Sequence, residues 1–135
     1  MKPPQRSDLE LLREWRAGVT AAGDRLCRRY HAKLRQFFAA EITDELGHAQ
    51  MLADKIVTLG GQPETVPAKV KYTDDPRQMV ENALADEEET VNRYVERREQ
   101  AEACGEFGLA VQFDDLIADE TKHRDELRMM LRRWG

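Results

Sequence analysis

The chain has 135 residues, enough for one domain with a sizeable hydrophobic core but few for two. Its formal charge of −5, with acidic and basic residues interspersed, argues against a nucleic-acid partner, which needs a continuous basic surface. No apolar run approaches the roughly 20 residues that cross a bilayer, and residues 1–7 lack the apolar segment of a signal peptide, so we expect a cytoplasmic protein.

The first half of the chain predicts a helical hairpin. Ser7 and Glu10 have the spacing of a capping box and open a first helix that runs to about Arg28. A second helix is predicted from roughly Tyr30 to Leu59, since the following Gly60-Gly61 permits the left-handed residue at which many helices end.

The second half of the chain predicts another hairpin. A crossover from Gln62 to Asp75 leads into a third helix from about Pro76 to Ala103, and Gly105 separates that helix from a fourth, from about Glu106 or Phe107 to Arg133. Helices joined by short turns pack as antiparallel neighbours, whereas the crossover is long. The predicted fold is therefore all-α: a single domain over residues 1–135, a four-helix bundle of two antiparallel hairpins joined by one long crossover.

Three of the predicted helices carry an apolar stripe that ionisable side chains interrupt near its centre. In the fourth helix the stripe consists of Leu109, Phe113, Leu116, Glu120, His123, Leu127 and Met130. The second helix has Leu34, Phe38, Glu41, Glu45, His48, Leu52 and Leu59, and the third has Val80, Leu84, Glu87, Val91 and Tyr94. Carboxylates that converge in a helical core are costly unless they are protonated, paired with cations or bound to metal.

Two Glu-x-x-His pairs, Glu45/His48 and Glu120/His123, favour a bound metal. Glu and His three positions apart lie on one helix face, one turn from each other, so they can reach one ion or two adjacent ions. A single such pair is usually a surface feature, but here two of the three histidines occupy matching positions in the two hairpins. Oxygen and imidazole donors suit iron or manganese, and the two isolated cysteines do not have zinc-site spacing. His31 is expected at the surface.

This pattern resembles that of the bacterioferritin branch of the ferritin-like superfamily over nearly the whole chain. The resemblance is carried by Glu45-Leu46-Gly47-His48-Ala49 and by Asp119-Glu120-Thr121-Lys122-His123. Glu87, with Tyr94 seven residues after it, is similar to the family's third-helix ligand and its nearby tyrosine. The segment Leu59-Gly60-Gly61-Gln62-Pro63 resembles the family's exit from the second helix.

The resemblance implies a ferritin-like bundle with a dinuclear iron site. Glu45 and Glu120 would bridge the two irons. His48 and His123 would each bind one iron, and Glu87 would be a terminal ligand.

The resemblance also implies a ligand from the first helix, Glu14, placed by the segment Glu14-Trp15-Arg16-Ala17. Helical geometry opposes this assignment, because Glu14 lies about 120° from the centre of that helix's apolar stripe. Ala21 also stands where the family has a tyrosine. The sixth ligand is therefore implied by the resemblance alone.

The function that the resemblance implies is that of a ferroxidase: Fe(II) is oxidised by oxygen or peroxide, for iron handling or peroxide detoxification, in a homo-oligomer. Haem is not expected, because Leu46 stands where a haem-binding bacterioferritin has its axial methionine. A complete storage cage is not expected either, since only twelve residues follow His123. The alternatives are a di-iron oxygenase or oxidase that acts on an organic substrate, and a non-catalytic bundle whose metal site is degenerate.

Two further residues are candidates for auxiliary roles. Glu41 lies one turn before Glu45 on the same stripe, where it either adds an iron site on an entry path or pairs with an arginine. Tyr94 either hydrogen-bonds a ligand carboxylate or is a core aromatic without a function. In the run Glu87-Glu88-Glu89 only Glu87 is assigned a role, because a run of charges is usually a solvated helix face.

Overall fold

A computed structural model describes residues 5–134, and this part of the chain contains four helices and no strand. They are α1 (Asp8–Arg16), α2 (Thr20–Thr58), α3 (Pro76–Ala103) and α4 (Phe107–Arg133). The predicted all-α class is confirmed. Within residues 5–134 no helix offers a segment long and apolar enough to cross a membrane. The helices form two compact units, one ending at Glu64 and the other beginning at Thr65; the single domain over residues 1–135 stays a prediction.

The start of α1 is a capping box, as predicted. The Ser7 hydroxyl accepts a hydrogen bond from the Glu10 N–H at 3.3 Å, and the Ser7 N–H donates to the Glu10 carboxylate at 2.7 Å. These bonds satisfy two donors that a helix start otherwise leaves open. Because the Ser7 N–H and hydroxyl both donate to the carboxylate, they hold the pKa of Glu10 below its usual range.

The predicted boundary between the first two helices is wrong. α1 ends at Arg16 instead of Arg28, and α2 begins at Thr20 instead of Tyr30. The turn lies at Gly18, whose φ of +93° is a left-handed conformation that glycine adopts without strain. No glycine, proline or asparagine lies near Arg28 to stop a helix there, so α2 continues through it for 39 residues.

α1 packs antiparallel against the beginning of α2. The Arg29 guanidinium donates to the Asp8 carboxylate, and the Tyr30 hydroxyl donates to the same carboxylate at 3.0 Å. Both bonds favour the ionised acid and hold the pKa of Asp8 below its usual range. At the other end of α1, the Trp15 ring lies directly on the backbone of Gly23. These contacts place α1 beside the first ten or so residues of α2.

The contact between Trp15 and Gly23 predicts that Gly23→Ala weakens the packing of α1 against α2. A Cβ at position 23 would lie 2.6 Å from the Trp15 ring, so the ring must move away. Overpacking costs roughly 1–3 kcal/mol, and the gain in helix propensity returns about 0.5–1 kcal/mol, so we expect a net loss of about 1 kcal/mol. Urea unfolding measures the loss, and Trp15 fluorescence in a Trp134→Phe background should report greater exposure of the ring.

The matched control is Gly47→Ala, also within α2, where a Cβ would meet nothing within 4 Å. This variant should be unchanged or slightly more stable. Equal stability of the two alanine variants would contradict the predicted role of the Trp15 contact.

The second unit has the helix boundaries that the sequence predicts. The Asp75 carboxylate accepts from the Arg77 N–H at 3.0 Å and caps α3, with Pro76 in its first turn. Gly105, with a φ of +84°, lies in the short turn to α4. α3 and α4 run antiparallel, joined along their length by two ion pairs: Arg98 with Asp114 at 2.8 Å and Arg128 with Glu88 at 2.6 Å.

Candidate metal centre

The buried stripe of α4 follows the predicted spacing and carries two ionisable groups. Its buried residues are Ala110, Phe113, Leu116, Glu120, His123 and Leu127. Glu120 is completely buried and His123 is 7% exposed. On α3 the buried residues include Glu87, which is 9% exposed. Two carboxylates and one imidazole of the same unit are therefore withdrawn from water.

These three side chains converge. The Nδ1 atom of His123 lies 3.6 Å from Oε2 of Glu120 and 4.0 Å from Oε1 of Glu87. Each residue offers a ligand atom within 4.8 Å of those of the other two. Two donors bound to one ion at about 2.1 Å are at most about 4.2 Å apart, so both distances from His123 fit a shared metal ion. We call Glu87, Glu120 and His123 the α3–α4 cluster.

The neighbouring acids of α3 point elsewhere, as predicted for a solvated charge run. Glu88 pairs with Arg128 at 2.6 Å, and Glu89 pairs with Arg93 within α3. The ring of Tyr94 lies 5.8 Å from the ring of Phe113, between centroids, so it contributes to the packing of α3 on α4. Of this stretch, only Glu87 joins the cluster.

The first unit carries the other Glu-x-x-His pair on α2. The Nδ1 atom of His48 lies 3.8 Å from Oε1 of Glu45. The His48 side chain is 12% exposed, whereas that of Glu45 is 46% exposed. Glu41, one turn earlier, is buried with 9% exposure. We call Glu45 and His48 the α2 pair.

Glu14 is not beside the α2 pair in the first unit. Its carboxylate accepts a hydrogen bond from Arg6 at 2.5 Å. α1 lies against the start of α2, with Asp8 bonded to Arg29, and Glu45 follows Arg29 by 16 residues, roughly 24 Å along a helix. The assignment of Glu14 as a ligand stays a prediction.

The remaining predicted features concern residues outside the cluster. His31 is exposed, as predicted. Cys27 and Cys104 are both exposed free thiols, so the donors of the α3–α4 cluster are oxygen and imidazole nitrogen only. Such a donor set suits iron or manganese better than a structural zinc ion, which prefers thiolates.

Sequence reasoning found every member of the α3–α4 cluster, because each interrupts an apolar stripe. It missed the difference in exposure between Glu45 and Glu120, which occupy equivalent positions in their motifs. The helical periodicity of the sequence predicts the same burial for Glu45 and Glu120, since both lie at the centre of an apolar stripe. Burial depends on what packs over each residue, and no spacing pattern within one helix contains that.

Comparison with known proteins agrees with this geometry. The model of the ferritin-like domain family matches residues 30–134. A bacterioferritin of Rhodobacter capsulatus is 29% identical over 101 residues, which cover 74% of this chain and 63% of that protein, so the match spans less than two thirds of the relative. The chain also superposes on a crystal structure from Bacillus anthracis str. Ames, which is described as "ferritin like, diiron-carboxylate proteins", with a TM-score of 0.74. The two sequences are 49% identical, and the superposition covers 76% of this chain and 73% of the other.

The family match covers most of the chain, and it includes α3, α4 and α2 from Tyr30 onward. The helical fold and the bacterioferritin relative point the same way. The chain therefore belongs to the ferritin-like family.

Proposed function

We propose that this protein is a di-iron ferroxidase, which binds two Fe(II) ions and oxidises them with oxygen or peroxide. Its proposed ligands are Glu45, His48, Glu87, Glu120 and His123. The observation that carries the proposal is the α3–α4 cluster, in which two carboxylates and an imidazole are buried at distances suited to a shared ion. The similar diiron-carboxylate protein supports iron as the metal.

The donor chemistry fits iron. Carboxylates are hard anionic donors and imidazole is a borderline neutral donor, a combination that binds Fe(II) and also holds Fe(III) as charge accumulates. Buried carboxylates need compensating positive charge, and a divalent cation supplies it. The proposed ligands Glu45, Glu87 and Glu120 carry three negative charges, against four positive charges on two ferrous ions.

The chain's own residues position and neutralise the ions, while the ions supply the redox chemistry. Two Fe(II) ions give up two electrons. With two protons, these reduce one molecule of oxygen to hydrogen peroxide, or one molecule of hydrogen peroxide to two waters. The burial of Glu120 and His123 keeps bulk water from their ligand atoms, so these donors need little reorganisation when the charge of an ion changes.

A cellular role in iron handling or peroxide detoxification follows from this reaction. A homo-oligomer and a cytoplasmic location belong to the same proposal, as expectations drawn from the sequence. Haem is not part of it, since exposed Leu46 follows Glu45 and offers no ligand atom.

The test is anaerobic titration of the full chain with Fe(II), followed by exposure to oxygen or to hydrogen peroxide. We expect two irons to be bound and oxidised per chain, faster than free Fe(II) in the same buffer. A control variant, Asp115→Asn, removes an exposed carboxylate from α4 and should behave like the wild type.

Two outcomes would overturn the proposal. Oxidation that accelerates only with an added organic substrate would indicate a di-iron oxygenase or oxidase. No iron binding by a folded chain would indicate a structural bundle with a degenerate site.

A further inference from the structure

The turn between α1 and α2 presents basic and apolar side chains side by side. Five exposed residues lie within seven positions of Gly18: Arg13, Trp15, Arg16, Val19 and Arg25. We call these five residues the hairpin tip, and we propose that it binds reversibly to the surface of an anionic phospholipid bilayer. The hairpin tip lies outside the family match, which begins at residue 30, so this role is separate from the proposed di-iron chemistry.

The hairpin tip carries an excess of positive charge. Within residues 5–134 no carboxylate forms an ion pair with any of its three arginines. Between Arg13 and Arg25 the sequence has two acids, Glu14 and Asp24. The Glu14 carboxylate is paired with Arg6 at 2.5 Å, which leaves Asp24 beside three arginines. The net charge that this end of the first unit presents to solvent is therefore positive.

The start of α2 lacks the features that stabilise a helix start. Val19 occupies the N-cap, where a serine or aspartate would accept a hydrogen bond from an open N–H, and α2 has no side-chain cap. The first turn of α2 also lacks an acid, although an acid there interacts favourably with the helix dipole. Arg25 in the second turn lies near the end of the dipole that favours anions. A partner outside the chain that is both apolar and anionic accounts for these residues.

An anionic bilayer offers both kinds of contact. Tryptophan and aliphatic side chains enter the zone between headgroups and acyl chains, while arginines bind the phosphates of the headgroups. Trp15 and Val19 are 46% and 45% exposed, so both retain apolar surface to bury. A nucleic-acid backbone would pair with the arginines and leave Val19 in water. Each basic residue near an anionic bilayer strengthens binding about fivefold, so three arginines give weak, reversible attachment.

The charge along α2 favours one orientation at such a surface. Residues 20–40 contain five arginine or lysine residues and one acid, whereas residues 41–58 contain four acids and one lysine. An anionic surface attracts the first part and repels the second. α2 has 39 residues, about 58 Å, which far exceeds the Debye length of about 10 Å. We therefore expect α2 to point away from the bilayer with the hairpin tip at the headgroups.

The experiment is co-sedimentation of the full chain with vesicles, either of phosphatidylcholine alone or of phosphatidylcholine and phosphatidylglycerol in equal amounts. We expect the chain to sediment with the anionic vesicles only. Added salt should release it, because salt screens exposed charges. In a Trp134→Phe background, the fluorescence of Trp15 should shift to shorter wavelength on binding, since its half-exposed ring leaves water.

Two variants with one matched control separate the contributions of charge and apolar contact. Arg25→Gln should lower the partition coefficient about fivefold. Lys55→Gln makes the same change of charge on the same helix, about 45 Å further along, and should leave the partition coefficient within about twofold. Val19→Ser should lower it at least about threefold through lost burial. Because serine is the better N-cap, far-UV circular dichroism of Val19→Ser should show no loss of helix.

Three results would overturn the proposal. The first is failure of the wild type to sediment with anionic vesicles, or equal weakening of binding by Lys55→Gln and Arg25→Gln. The second is binding to duplex DNA as tight as binding to vesicles at the same salt, with no effect of Val19→Ser, which would indicate a general polyanion site. The third is dissociation of an oligomer by Arg25→Gln without any lipid, which would indicate an interface between copies of this chain.

Discussion

Replacing Glu120 by methionine is expected to stabilise the metal-free protein and to remove most of its stabilisation by metal. Glu120 is completely buried, and its Oε2 lies 3.6 Å from His123, which also faces the Glu87 carboxylate at 4.0 Å. Two buried carboxylates thus lie close to each other and to one imidazole, and like charges brought together in a core destabilise it. Methionine has a similar volume and continues the apolar stripe, and it removes one of the two buried carboxylates.

The expected magnitude follows from other buried charges. Apolar replacement of buried ionic groups often stabilises a protein by about 1–4 kcal/mol, so the metal-free Glu120→Met protein should melt several degrees above the wild type. Metal stabilises the wild type by about 2.7 kcal/mol when its free concentration is a hundred times the dissociation constant. In the variant most of this increment should disappear, because the only donor of the α3–α4 cluster with no exposure is gone.

Differential scanning calorimetry with and without Co(II), in the presence or absence of a chelator, measures both effects. Asp115→Asn is the control, since it removes an exposed acid of the same helix and should change neither value by more than about 0.5 kcal/mol. A Glu120→Met protein that is less stable without metal would show that the carboxylate is part of a structural network. That result would favour the non-catalytic bundle.

The helix boundaries of the second unit could be predicted from the sequence, because the residues that start and stop these helices lie at the boundaries themselves. Asp75-Pro76 marks the start of α3, and Gly105 marks the turn to α4, so both helices have the predicted bounds. The exit from α2 is also local: the Gly61 N–H donates to the Ile56 carbonyl at 2.8 Å, and Gly60 has a φ of +84°. Such signals act within one turn of chain, so reading the sequence is enough to find them.

The prediction of the boundary between α1 and α2 was wrong because that boundary depends on contacts that are not local in the sequence. Both Gly18 and Gly23 could have ended the first helix, and the sequence does not decide between them and a later turn. The choice depends on contacts between residues far apart in the chain, such as Asp8 with Arg29 and Trp15 with Gly23. A glycine that accepts an aromatic ring against its backbone looks in the sequence like any other glycine in a helix.

The candidate metal site likewise has features that could be predicted from the sequence and features that could not. Glu87, Glu120 and His123 were predictable because a carboxylate or imidazole on an apolar stripe of a long helix must face the buried side. The pairing of Glu14 with Arg6 was not predictable, since it depends on how the chain approaches α1. The exposure of Glu45 was not predictable either, because periodicity fixes a direction around the helix but not what covers it.

Replacing Leu127 by alanine is expected to give the largest loss of stability, without removing the response to metal. Leu127 is completely buried on α4, one turn after His123. Removing a buried leucine side chain costs about 2–5 kcal/mol through lost burial and the cavity left behind, which corresponds to a melting temperature roughly 10 °C lower for a chain of this size.

The control for Leu127→Ala is Met129→Ala, which shortens a side chain that is 51% exposed two residues further along α4, and it should cost less than about 0.5 kcal/mol. Because Glu87, Glu120 and His123 are all retained in Leu127→Ala, added Co(II) should still raise its melting temperature, by linkage of binding to folding. Leu127→Ala and Glu120→Met thus change stability in opposite directions, and only Leu127→Ala keeps the response to metal. If both variants lost that response equally, the metal would depend on the packing of α4 as a whole, and Glu120 could not be assigned as a ligand.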